Sequence, residues 1–261
     1  GVLARIEEER KTNLRFIRAF ADFLELCRHS VNPNLSVQAV EEMLIQHLLT
    51  ERIFRTVFKN SDFTRRNVIA AARRGARAVG FEYNPEMVTL SRQAAAQAGV
   101  ADRATFIEGG MFAAAISHAA VLALFLLPSN LDKLKDKFLA LKPGTRIVLN
   151  TFGVTDWEAD VTEKVEDNCD SWCTALLVIV PARGEGAWQM SGGGLMFEQA
   201  FQKVTGTLKA RDGEATISEG RLRGEAIEFM AGGTRYTGRV QGDRMEGTAM
   251  TTTGATEKWS A

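Results

Sequence analysis

The stretch Ala76–Phe112 constrains this chain more than any other. An apolar run, Ala76–Phe81, ends in the acidic Glu82, and Asn84–Pro85 then breaks the strand and opens a helix. The spacing predicts that helix over Pro85–Ala98, with Met87, Val88, Leu90, Ala94 and Ala95 on one side and Gly99 as C-terminal cap. A β-like run resumes at Ala104–Ile107. Strand, helix and strand in this order form half of a doubly wound nucleotide-binding sheet, in which ligands sit at the carboxyl ends of the strands. Glu82 is therefore placed to accept the ribose hydroxyls of an adenosine-containing cofactor; the alternative is a surface glutamate at a strand end.

The neighbouring segments extend the pattern. RNVIAAARRGARAVGFEYNPEMVTLSRQAA, ATFIEGGMF, AAVLALFLLPSNL and LKPGTRIVLNTF, taken in that order, resemble class I S-adenosylmethionine-dependent methyltransferases from Arg66 to about Ala182. Within that class the likeness is to a bacterial group related to the protein-lysine methyltransferases of mitochondria. The resemblance implies a Rossmann-like sheet and S-adenosylmethionine as cofactor, contacted by Glu82, Tyr83 and the Gly110–Met111 backbone. It also implies an acceptor approaching near Leu127 and Pro128, with a protein lysine or a small molecule as that acceptor.

Two departures from the family pattern matter. Family members carry a glycine-rich loop after their first strand, just before the helix expected here over Asn67–Arg74. This chain reads SDFTRRNVIA at that place, and no glycine occurs between Gly1 and Gly75. The turn that brings main-chain N–H groups to a cofactor is missing, and so is the first strand. At Gly110, moreover, the family has an aspartate that binds the adenine amino group.

The N-terminal region is of another kind. Leu3–Arg28 is charged, with Leu14, Ile17, Phe20 and Leu24 at helical intervals, and Val31–Asn34 stops it. A second helix is expected from Ser36 to about Phe58. The text from Asn34 to Ala70 resembles the helical linking region of single-chain type I restriction-modification enzymes, which carries no catalytic motif. Both resemblances fit Arg66–Ala70, so the chain reads as a chimeric composite joined there. DNA amino-methyltransferases have an Asn/Asp-Pro-Pro-aromatic signature where this chain has Leu126–Leu127–Pro128, which argues against DNA-base methylation.

Further on, His118–Leu127 is an apolar run of the kind expected for a buried parallel strand, followed by a helix over Leu131–Leu141 and a strand over Arg146–Phe152. Val154–Asp170 gathers seven carboxylates around Trp157. It is either an acidic lip for a cationic acceptor or a solvated loop. Its Trp157-x-x-Asp160 resembles a segment of the lysine-methyltransferase relatives, which makes Trp157 and Asp160 substrate-side candidates. Cys169 and Cys173 lack the further ligands a zinc site needs, so no metal is expected, and His29, His47 and His118 are isolated.

From Gly184 short β-prone runs alternate with glycine turns, and Gly220–Ile227 matches Gly238–Met245 as a weak internal repeat. An antiparallel meander follows, with Trp188, Phe229 and Trp259 as core. Composition narrows the partners. Lys+Arg and Asp+Glu are both 32, so no basic field favours nucleic acid. Three cysteines fit a reducing compartment, and no signal peptide or membrane span is evident, so a cytoplasmic protein is expected.

The expected fold is α/β: a helical segment over 1–65, an incomplete Rossmann-like methyltransferase sheet over 66–183 and an antiparallel β-rich domain over 184–261. The expected function is that of an S-adenosylmethionine-dependent methyltransferase-like protein without its glycine loop. The alternatives are a non-enzymatic remnant or interaction module, and a fragment of a DNA restriction-modification protein.

Overall fold

The computed structural model describes residues 12–30, 36–37, 61–164, 173–210 and 213–261. The second N-terminal helix, Cys169, and Glu166, Asp167 and Asp170 of the acidic run lie outside the described residues, apart from Ser36 and Val37. The chain divides into two compact units, Gly1–Glu108 and Gly109–Ala261.

The first unit contains α1 (Leu14–Ser30), α2 (Ser61–Arg73), β1 (Ala78–Glu82), α3 (Pro85–Gln97) and β2 (Ala104–Glu108). The whole of SDFTRRNVIA is helical, so α2 starts six residues before the expected Asn67. No glycine interrupts it, and nothing in the sequence makes the backbone turn. β1 and β2 are parallel, in register from Ala78↔Ala104 to Glu82↔Glu108, with α3 as the crossover. Asn84 caps α3: its Oδ1 accepts from the N–H groups of Glu86 (2.9 Å) and Met87 (3.4 Å), and Pro85 opens the first turn. Val68 and Ala72 of α2 share a core with Val88, Ala95, Val100, Ala104 and Phe106. Gly80 makes that packing possible, since a Cβ there would stand 2.9 Å from both Thr64 Cγ2 and Phe106 Cδ1.

The second unit begins with β3 (Val121–Leu124), α4 (Pro128–Leu139), β4 (Arg146–Asn150), β5 (Val161–Lys164) and β6 (Thr174–Ile179). Their sheet has the order β3-β4-β6-β5, with β3 and β4 parallel and the other pairs antiparallel. β3 is shorter than the expected His118–Leu127. Residues before Val121 turn, and Phe125–Leu127 already lead into α4, whose first residue is Pro128 rather than the expected Leu131. Leu131, Leu134 and Phe138 bury one face of α4 against Leu122, Ile147, Leu149, Val178 and Val180.

Eight antiparallel strands complete the chain: β7 (Gly186–Met190), β8 (Gly193–Ala200), β9 (Lys203–Ala210), β10 (Gly213–Arg223), β11 (Ala226–Ala231), β12 (Thr234–Gln241), β13 (Arg244–Met250) and β14 (Thr256–Ser260). Each pairs with its sequence neighbours, the order of a simple meander. The internal repeat corresponds to two hairpins. Gly224 and Gly242 hold the turns at φ 62° and 63°, Leu222 and Val240 are buried before them, and Ile227 and Met245 after them. Phe229 is fully buried, stacked on Tyr236 with centroids 4.7 Å apart and edge-on to Trp259 at 5.9 Å. Trp188 packs against this core as expected.

The meander is fastened to the sheet of the same unit by specific contacts. Trp157 stacks on Phe201 at 5.0 Å, and the Gln202 side chain, 1% exposed, donates to the Glu158 carbonyl at 2.6 Å. Asp160 accepts from Arg221 (3.0 Å) through one oxygen and from the Ile179 N–H (2.8 Å) through the other. The Ala182 N–H donates to the Gly224 carbonyl at 2.8 Å.

Candidate functional site

The carboxyl end of β1 carries Glu82. Its Oε1 accepts from the Asn84 N–H at 3.0 Å, which fixes the carboxylate beside the helix it precedes. Tyr83, next in sequence, is 79% exposed. Glu108 ends β2 in register with Glu82, so two carboxylates stand at neighbouring strand ends. Sequence reasoning misses Glu108; its signal is its place one strand over, at the same distance from the start of a β-run.

In the second unit, Gly109 and Gly110 open a short loop. Nothing stands within 4 Å of the position a Cβ would take at either residue, so the main chain there is open to approach. The Ala113 N–H closes a turn on the Gly110 carbonyl at 3.1 Å, and Met111 and Phe112 are exposed, Phe112 by 51%. Lys137 of α4 donates to the carbonyls of Phe112 (2.9 Å) and Ala114 (2.5 Å).

The carboxyl ends of β3 and β4 form an apolar floor. Phe125 and Phe152 stack there with centroids 6.4 Å apart, followed by half-buried Leu126 and Leu127. Leu127 occupies the N-cap of α4 in extended conformation without a side-chain cap, its carbonyl accepting from Asn130 (2.9 Å) and Leu131 (3.1 Å). Pro128 is exposed. Two non-glycine residues with positive φ, Thr151 (63°) and Asp156 (64°), flank the exit of β4, a conformation that costs about 1 kcal/mol or more each. Asp132 anchors that exit. Its carboxylate accepts from the Thr155 N–H and hydroxyl, both at 2.8 Å, and these bonds, the backbone one foremost, hold its pKa below the ordinary range.

Of the substrate-side candidates, Trp157 is 4% exposed within the core, and its indole N–H is buried without an acceptor. The Asp160 side chain is 2% exposed with both oxygens engaged. Both therefore join the meander to the sheet. Glu158 stays at the surface, and the hydrogen bond from Lys203 lowers its pKa. Cys173 is disulfide-bonded, against the expectation from the cysteine count. Among the described residues no cluster of His, Cys, Asp and Glu suits a metal ion, and no helix is long and apolar enough to cross a membrane.

Residues 64–161 match the ANTKMT methyltransferase domain family. That segment is of class I methyltransferase type. Residues 2–77 match the coupler domain of type ISP restriction-modification enzymes, so the chain is composite and the two matches overlap on α2. A protein-lysine N-methyltransferase of Saccharolobus islandicus is 36% identical over 40% of this chain and 65% of its own length. A lysine N-methyltransferase of Mus musculus, named for a component of the ATP synthase, is 35% identical over 37% of this chain and 40% of its own. The chain thus spans less than two thirds of these relatives. An RNA methyltransferase from Salinibacter ruber, solved with S-adenosyl-L-homocysteine, is 34% identical over 51% of this chain and 92% of that one, with a TM-score of 0.42.

Proposed function

We propose that the methyltransferase-type segment binds S-adenosylmethionine and serves methyl transfer to an amine acceptor, a lysine side chain by analogy with the relatives' names. The observation that carries this reading is Glu82. A carboxylate at the end of β1, held through one oxygen by the Asn84 N–H, suits a pair of ribose hydroxyls. Within the second unit, the open backbone at Gly109–Gly110 and the exposed Met111 side chain are, taken by themselves, of a kind that suits the edge and face of an adenine. Each group by itself fits a part of the nucleoside; the methionyl end of the cofactor would need contacts other than the absent glycine loop.

The bound cofactor supplies a sulfonium-activated methyl group, so the protein's part is placement and an unprotonated acceptor rather than strong acid-base catalysis. On this reading Glu82 orients the nucleoside. A second reading, a remnant or interaction module that binds no cofactor, is favoured by the continuous α2 where a glycine turn would stand. Calorimetric titration with S-adenosylmethionine and S-adenosylhomocysteine decides between them. Micromolar binding abolished by Glu82→Ala supports the first reading; no heat from the folded chain at millimolar ligand leaves only the second.

A further inference from the structure

We propose that Lys137 is a positioning residue for the Gly109–Ala115 loop, a role that rests on the cofactor reading above. Lys137 lies in the last turn of α4, 25 residues beyond Phe112 in sequence. Its ammonium has three protons to give, and two carbonyls of the loop, Phe112 and Ala114, converge on it at 2.9 and 2.5 Å. The helix beneath is firmly seated, with Leu131, Leu134 and Phe138 buried. A stretch opened by two glycines is thereby tied to a fixed point.

The tie reaches Gly110 through one peptide plane. The Phe112 carbonyl faces Lys137, while the N–H of the same planar unit, that of Ala113, donates to the Gly110 carbonyl at 3.1 Å. Because the peptide is planar and trans, fixing its oxygen fixes the direction of its hydrogen, and with it the turn that presents Gly110 and Met111. Ala114, buried to 6% exposure, anchors the far end of the loop. Lys137 bonds the carbonyls of Phe112 and Ala114, neither of them an expected cofactor contact, and so acts through the backbone of the loop.

The test compares Lys137→Met, Lys137→Arg and the charge-matched control Lys133→Met in the full chain. Hydrogen exchange of the amides at residues 109–115 reads the clamp, and calorimetry with S-adenosylhomocysteine reads its consequence. We expect Lys137→Met to speed exchange at Ala113 by about tenfold and weaken binding by about tenfold, the worth of one charge-assisted hydrogen bond. Lys137→Arg should restore most of both, because a guanidinium also offers paired donors, and Lys133→Met should change neither. Unchanged exchange in Lys137→Met overturns the clamp, and faster exchange with unchanged affinity overturns the positioning role. A wild-type chain that binds no ligand removes the function proposed above and the cofactor role of Lys137 with it; the exchange data then still report whether the clamp exists.

Discussion

Replacing Asp160 tests whether the meander and the β3-β4-β6-β5 sheet are one cooperative structure. The carboxylate is 2% exposed and makes two bonds, to Arg221 at 3.0 Å and to the Ile179 N–H at 2.8 Å. The Arg221 side chain is 41% exposed, so solvent screens the pair and its worth falls at the low end for charged partners, about 1–2 kcal/mol. Asp160→Ala also orphans the Ile179 N–H, adding about 1 kcal/mol or more. The sum, about 3 kcal/mol, corresponds to a fall in Tm of about 6–12 °C for a unit of this size. Asp160→Asn keeps an acceptor for one partner and should cost about half as much. Urea titration followed by tryptophan fluorescence measures both, and adding Arg221→Met gives the coupling energy, expected at about 1–2 kcal/mol. A coupling below about 0.5 kcal/mol would refute the ion-pair argument. Separate transitions for meander and sheet would refute the claim that the contacts unite them.

Gly247→Ala should destabilise by about 1–3 kcal/mol or more, because its Cβ would stand 1.9 Å from the Thr237 carbonyl oxygen and 2.5 Å from Gly238 Cα, both backbone. Gly110→Ala enters open space and should leave the thermal midpoint unchanged, so a pair of melting curves suffices for both. Asp132 has a folded-state pKa below its unfolded one, so its contribution is fully present above the ordinary aspartate range and is lost as pH falls through the lowered value. NMR titration of its carboxyl carbon should show that Thr155→Val reduces the shift without removing it, since the larger cause is the backbone N–H.

Local signals in the sequence carry well into the structure. Asn84–Pro85 marks the start of α3 because the cap is built from adjacent residues, and the Gly224 and Gly242 turns follow from a repeat visible in the text. Boundaries fail where two signals compete. Pro128 reads as a breaker after an apolar run, yet proline suits the first helical position, and the helix takes it. β7, β8, β10 and β14 do not separate in the sequence alone, because their glycine-rich or charged stretches lack clean alternation. The pairing of Asp160 with Arg221, 61 residues apart, has no periodicity to betray it. Trp157-x-x-Asp160 stands out only through its resemblance to a segment of the lysine-methyltransferase relatives, and nothing in the sequence announces that each of the two has a partner from the meander, Phe201 and Arg221.

The overlap of the two family matches, residues 64–77, covers most of α2 and the turn that follows it. A helix is the element in which two unrelated texts can be spliced at least cost, because its backbone repeats and only the angular phase must survive the join. Here the phase does survive: Val68 and Ala72, four residues apart, both face the core. A strand or a glycine turn at the same place would have demanded a matched register or a particular φ from each parent. The helix admits the exchange and keeps its seat against Gly80, so a seam in the gene need not be a seam in the packing.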